Sequence, residues 1–229
     1  MTERRLTGIS SMATRQVLAD VADAWRHAGG EFACESVGGV DAARRVRDGE
    51  TFDIAVLAAD AIDKLVACGR VVAGSKTDLA RSHVAIAVRA GAPRPTIATE
   101  AALREALLSA KSIGYSTGPS GVALQTLFER WGIAETIRAR LVQAPPGVPV
   151  GTLIARGEVV LGFQQLSELM HLEGIAVIGP MPPGLEIVTT FSAGICTAST
   201  QAAAARSLLS FMRSPAADEA KRRHGMQPA

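Results

Sequence analysis

The chain predicts an α/β fold: two Rossmann-like lobes joined by two crossover segments, with a central cleft. Three observations lead there. Short apolar runs alternate with amphipathic segments along the whole length. The alternation restarts after a loop carrying Pro93 and Pro95. Gly/Ser/Pro-rich turns lead from strand into helix at four places. A repeated β-α-β-α order is the grammar of a parallel sheet covered by helices on both faces. Lobe 1 is expected from residues 1–84 plus 190–229, and lobe 2 from residues 85–189.

Leu6–Ser10 reads as the first strand, and Val17, Leu18, Val21, Trp25 and Ala28 recur at helical spacing until Gly29-Gly30 stops them. Glu31–Val37 reads as a strand, Asp41–Arg47 as a helix, Asp53–Leu57 as a buried strand and Asp60–Ala67 as a short helix ended by Gly69. His83–Arg89 is the first crossover strand. The second unit then runs helix 100–110, strand 112–115, helix 120–131, strand 140–143, helix 150–156, strand 159–163, helix 166–171 and strand 176–178. After Pro180–Pro183 a β-like segment, 186–196, crosses back, and two helices, 200–212 and 215–224, finish the chain. An internal echo supports two similar lobes: Arg47-Asp48-Gly49-Glu50, strand, Asp60 parallels Arg156-Gly157-Glu158, strand, Glu168. Hinge motion is expected in the crossovers, at 84–90 and 186–192.

The four turns are Gly8-Ile9-Ser10-Ser11, Val37-Gly38-Gly39-Val40, Tyr115–Gly121 and Pro145–Gly151. Small residues let a ligand approach the backbone, and helix N-termini supply unpaired N–H groups and a positive dipole end. Converging on one cleft, such turns hold a small anion without lysine or arginine. The binding candidates are Ser10, Ser11, Gly38, Gly39, Ser116, Ser120, Gly121, Val148, Val150, Gln164 and Gln165. Each has a plainer reading: Ser10 and Ser11 as helix caps, Gly38-Gly39 as a tight turn, and Gln164-Gln165 as a solvated turn after a buried strand.

Composition excludes several classes. Hydrophobic residues make up 48% of the 229, which rules out a disordered chain, and a net charge of +2 with interspersed signs offers nothing to nucleic acid or an anionic membrane. Aromatics at 4% are too few for base stacking. Three cysteines (Cys34, Cys68, Cys196) at wide spacing form no disulfide framework and read as buried structural thiols. No apolar run spans a bilayer, so no membrane insertion is expected. Met1–Arg5 leads into the first strand without an apolar signal segment. The chain as written is therefore expected in the cytoplasm, and in the periplasm if a signal segment has been removed. No His/Cys/Asp/Glu cluster has metal spacing, no nucleophile elbow appears, and no cofactor is implied.

Taken in order, Ile9-Ser10-Ser11-Met12, Gly49-Glu50 with Asp53–Leu57, Asp60 with Asp63-Lys64-Leu65, Gly118–Ala123, Gly157-Glu158 with Gly162-Phe163, and Phe211–Pro215 with His224-Gly225 resemble the type II periplasmic-binding-protein fold. The resemblance covers nearly the whole chain and is nearest to the molybdate-binding proteins of ABC importers. It implies that Ser10, Ser11 and Ser120 contact an oxyanion, and that an ABC permease is a partner only if the chain is exported. The chain departs from the pattern where Gly38-Gly39 replaces a serine and Gln164-Gln165 stands at a tyrosine position. The phrase Gly162–Leu169 looks closer to aconitate isomerase, an enzyme on the same scaffold, and amides that donate and accept suit a carboxylate.

Two functions follow. One is a receptor that closes its lobes over a small oxyanion or carboxylate, using neutral hydroxyl and amide donors. The other is a cofactor-free isomerase of a small unsaturated polycarboxylate, which needs a group to remove and return a proton. His83, Tyr115 and Glu168 are the candidates for that group. His83 also reads as a structural residue on the crossover, Tyr115 as packing and Glu168 as a solvated helix residue. His27, His171 and His224 read as surface residues.

Overall fold

The computed structural model describes residues 5–229. The chain runs β1 (Leu6–Ser11), α1 (Arg15–His27), β2 (Phe32–Val37), α2 (Gly39–Arg47), β3 (Ile54–Ala58), α3 (Ala59–Ala67) and β4 (Thr77–Arg89). It continues with α4 (Glu100–Ser109), β5 (Ile113–Tyr115), α5 (Pro119–Arg130), α6 (Ala134–Ile137), β6 (Leu141–Gln143), α7 (Val150–Ala155), β7 (Leu161–Gln165) and α8 (Leu166–Leu169). The last elements are β8 (Ile175–Pro180), β9 (Val188–Ile195), α9 (Ala202–Met212), α10 (Pro215–Arg223) and β10 (Met226–Pro228). Two compact units result: residues up to Ser82 with Thr189–Ala229, and His83–Val188.

In the first unit β1 lies between β2 and β3, all parallel, with Ser10 opposite Ser36 on one side and Val56 on the other. β9 then runs antiparallel to β3, pairing Ile54 with Ile195 and Ala58 with Phe191. The run Ile54-Ala55-Val56-Leu57-Ala58 is apolar throughout because both faces of this strand are covered. Ile54 and Val56 pack with Val17, Leu18 and Val21 of α1 and Leu208 and Leu209 of α9. Ala55 and Leu57 face the other way, onto Val46 of α2 and Ile62 and Leu65 of α3. Asp53, buried just before β3, accepts from the Thr7 N–H (2.8 Å) and from the Ser199 hydroxyl (2.6 Å), which ties β1, β3 and the segment after β9 together.

The second unit repeats this plan. β5 lies between β6 and β7, all parallel, and β4 runs antiparallel to β7 with Val84 opposite Gln165 and Ala85 opposite Gln164. β8 pairs antiparallel with β4 as well. One face packs Ile113, Tyr115 and Phe163 against Leu103 and Leu107 of α4 and Leu124 and Phe128 of α5. The other packs Ala85 and Ala87 with Val150, Leu153 and Ile154 of α7 and Leu169 of α8. Glycine lets α7 come this close: a Cβ on Gly162 would sit 2.4 Å from Ile154 Cδ1.

The internal echo marks equivalent corners. Gly49 and Gly157 adopt φ values of 97° and 79° after α2 and α7. In each case the next glutamate N–H bonds back five residues, Glu50 to the Arg45 carbonyl and Glu158 to the Leu153 carbonyl. This is the αL helix ending that glycine permits.

Several elements differ from the sequence reading. The chain finishes in a strand rather than a helix, because β10 pairs Met226–Pro228 with Ser82–Ala80. β4 begins at Thr77, six residues before the expected start, where buried Leu79 and Ala80 are flanked by exposed Asp78 and Arg81. The plainer reading of Gln164-Gln165 as a solvated turn does not hold: they are the buried end of β7, since β4 pairs along it. Cys68 is exposed rather than buried. His224 is buried, with its Nε2 3.0 Å from Asp20 Oδ2, and is no surface residue.

Candidate functional site

In an open parallel sheet the ligand end is set by topology: helices leaving neighbouring strands on opposite faces part the chain at the strands' C-terminal ends. In the first unit α1 covers one face, while α2 and α3 cover the other. β1 therefore ends in such a gap with Ser10-Ser11, beside the start of α2 at Gly38-Gly39. In the second unit α5 covers one face and α7 the other. There the gap opens past Tyr115-Ser116 and Gln164-Gln165.

The two serines of β1 differ in their state. The Ser10 hydroxyl is fully buried and shared with Ser36 Oγ at 2.8 Å, across the β1–β2 pair. Ser36, which the sequence reading passed over, supplies a hydroxyl one turn ahead of Gly38-Gly39. Its signal was present as the strand residue that pairs with Ser10 once β1 and β2 are put in parallel register. Ser11 is buried too, yet its hydroxyl has no hydrogen-bond partner among the described residues. Neither serine caps a helix through its side chain: Ser11 precedes the short 3₁₀ turn Met12–Thr14 without a side-chain cap bond. A Cβ on Gly39 would lie 3.4 Å from Ser11 Cβ, so the unpaired hydroxyl stands at the first turn of α2. An uncompensated buried hydroxyl costs about 1–3 kcal/mol, which a ligand oxygen would recover.

On the second unit Ser116 and Ser120 hydroxyls lie 3.2 Å apart across the start of α5, where Pro119 is the first helical residue. Gly121 is indispensable to this corner, since a Cβ there would come within 1.9 Å of the Ser116 carbonyl oxygen. Tyr115 packs in the apolar core with Ile113 and Phe163. Val148 closes a turn with its N–H on the Pro145 carbonyl (3.0 Å), and Val150 is a core residue.

The end of β7 carries a linked set of polar groups. The Val150 N–H donates to Gln164 Oε1 at 2.7 Å, and Gln164 Nε2 donates to Glu168 Oε1 at 2.8 Å. Gln164 is thus committed inside the protein, and Gln165 is buried beside it. Loss of hydration on burial pushes the Glu168 carboxyl up to about 7, against the opposing effect of the Gln164 hydrogen bond. His83 precedes Val84 on β4, so strand alternation puts it on the face shared by Ala85 and Gln164. Its Nε2 is buried without a partner among the described residues.

The structure thus groups Ser10, Ser11, Gly38 and Gly39 on the first unit. On the second it groups Ser116 with Ser120 and Gly121, and Val150 with Gln164 and Glu168. No group of His, Cys, Asp and Glu among the described residues is arranged to hold a metal. No helix among them is long and apolar enough to cross a membrane. A cavity of about 510 Å³ in the first unit, lined by Val72, Ser75, Ile195, Arg206 and Arg213 among others, contains none of the predicted site residues.

Residues 6–227 match the family described as bacterial extracellular solute-binding protein. Aconitate isomerase from a Pseudomonas species is 37% identical over 230 residues, covering 97% of this chain and 87% of that protein. Among solved structures, the periplasmic molybdate-binding protein of Azotobacter vinelandii superposes with a TM-score of 0.81 at 18% identity, over 97% of this chain and 98% of that one. The sulfate-binding protein of Mycobacterium tuberculosis gives 0.80 at 17% identity, over 99% and 88%. With that family match spanning both units, the chain belongs to the bacterial extracellular solute-binding proteins and has their type II fold.

Proposed function

We propose that this chain binds a small unsaturated polycarboxylate and isomerises it by a proton shift, without a cofactor. The observation that carries the binding half is the Ser11 hydroxyl, buried, unpaired and set against Gly39 at the start of α2. Ser116 and Ser120 at the start of α5 are the corresponding donors of the second unit. All are neutral, so the positive field comes from helix N-termini rather than from a lysine or arginine.

The full-length similarity to an aconitate isomerase supports the reactive half. A carbon acid flanked by a carboxylate and a double bond loses its proton to give a delocalised carbanion, which neutral donors stabilise as charge moves onto carboxylate oxygen. Return of the proton two carbons away completes the isomerisation. A receptor for an inert oxyanion, as the likeness to molybdate- and sulfate-binding folds suggests, is the second reading.

Calorimetric titration and thermal shifts with cis- and trans-aconitate, citrate, molybdate and sulfate test the choice. At a hundredfold excess over Kd a ligand stabilises the protein by about 2.7 kcal/mol. The proposal expects stabilisation by an aconitate and a weaker effect in Ser11→Ala. A response to molybdate or sulfate alone rejects it in favour of the receptor.

A further inference from the structure

We propose that Glu168 is the catalytic residue that carries the proton in the isomerisation proposed above, with Gln164 as the residue that positions it. The assignment rests on that reading of function and deepens it.

Three groups entered as candidates, and the structure separates them. Tyr115 belongs to the apolar core between Ile113 and Phe163, a packing position. His83 faces the same side of the sheet, but its buried Nε2 is held by no hydrogen bond among the described residues. Glu168 alone is built into the end of β7 by directed hydrogen bonds. The Val150 main-chain N–H can only donate, so it fixes Gln164 Oε1 as acceptor. That choice leaves the amide nitrogen as the donor, and it donates to Glu168 Oε1. The backbone of α7 therefore sets the orientation of one carboxylate oxygen through a single side chain. The Gln164 hydrogen bond engages Oε1, and Oε2 is the oxygen the proposal assigns to a substrate C–H.

The surroundings suit proton transfer at neutral pH. α7 and β7 carry no ionisable side chain, and α8 carries only Glu168. The other ionisable groups on neighbouring segments are Asp78, Arg81, His83 and Arg89 on β4, Arg156 and Glu158 just after α7, and His171 and Glu173 beyond α8. No lysine or arginine pairs with Glu168 among the described residues. A carboxyl that titrates at about 7 is half ionised there and serves equally as base and as acid.

The step balances on this one group. Ionised Glu168 takes the proton from a substrate carbon that is both allylic and α to a carboxylate. The C–H electron pair enters the conjugated system as the double bond shifts. The neutral Glu168 then returns the proton to the far carbon of the three-carbon unit. No oxidant, reductant or leaving group is required.

The test follows cis- and trans-aconitate by proton NMR in heavy water with the full chain and its variants, alongside thermal shifts that report binding. Wild type is expected to interconvert the isomers. Glu168→Gln should still bind and lose about 10³-fold in rate. Glu168→Asp, which keeps the charge but draws it back, should fall between them and guards against a fold defect in the amide variant. Gln164→Ala should move the ionisation midpoint of kcat/KM upward from about 7, because the hydrogen bond that favours the carboxylate is gone. A merely structural role would lower the rate and leave the midpoint in place. Full activity in Glu168→Gln with loss in His83→Ala overturns the assignment while leaving the isomerase reading intact. A wild type that binds but never interconverts or exchanges deuterium overturns both.

Discussion

Replacing Glu168 by glutamine should make the protein more stable above neutral pH, and the size of the gain follows from its environment. Burial lifts the carboxyl from 4.5 to about 7. At about 1.36 kcal/mol for each tenfold change in proton affinity, that rise is worth about 3 kcal/mol. The native state holds this proton more tightly than the unfolded chain, so it binds more protons between pH 4.5 and 7. Its contribution is fully present below 4.5 and is lost as pH rises through 7. Glutamine keeps an acceptor for Gln164 Nε2 and has no charge to bury. The stability difference between wild type and Glu168→Gln should therefore change by about 3 kcal/mol between pH 4 and pH 8. Trp25 and Trp131 fall in different units, so urea unfolding followed by Trp131 fluorescence in a Trp25→Phe background reads the second unit. Parallel pH curves for the two proteins would refute the reasoning, since they would mean that Glu168 ionises in the native state as it does in the unfolded chain.

Other consequences are equally direct. Ser11→Ala should weaken polycarboxylate binding about tenfold, as expected for one hydrogen bond to a charged group, while leaving the melting temperature of the free protein unchanged or slightly raised, because its hydroxyl has no internal partner. Calorimetry and a thermal scan check both halves. Gly121→Ala drives a methyl against the Ser116 carbonyl and should cost about 3 kcal/mol in urea unfolding, with loss of binding from the displaced Ser116-Ser120 corner. Arg140→Ala removes a guanidinium that donates to the Leu107, Leu108 and Ala110 carbonyls at the end of α4. It should cost about 2 kcal/mol of stability with little effect on ligand affinity.

Much of the fold could be read from the residues because parallel strands buried on both faces leave unbroken apolar runs. Ile54–Leu57 is such a run, and the glycines at 49 and 157 flag the helix ends before the matching strands. Other elements depend on partners far along the chain. β10 is only Met226-Gln227-Pro228 and becomes a strand because β4 offers Ala80–Ser82. Gln164 and Gln165 look like a polar turn, and only the pairing with Val84 and Ala85 buries them. The turns bearing Ser11, Gly39, Ser116 and Ser120 stood out by their small residues. Which hydroxyl is satisfied did not, since Ser10 finds Ser36 only across two paired strands. Glu168 is the sharpest case: on its own helix it looks like any solvated glutamate, and its raised pKa comes from burial as α8 packs on β7 and α7.

The most direct test is a proton NMR time course of the purified chain with trans-aconitate in heavy water at pH 7. The account predicts appearance of the cis isomer, with deuterium entering the methylene position from the solvent. Saturable binding of aconitate with unchanged spectra over the same period would contradict it and leave the protein a receptor.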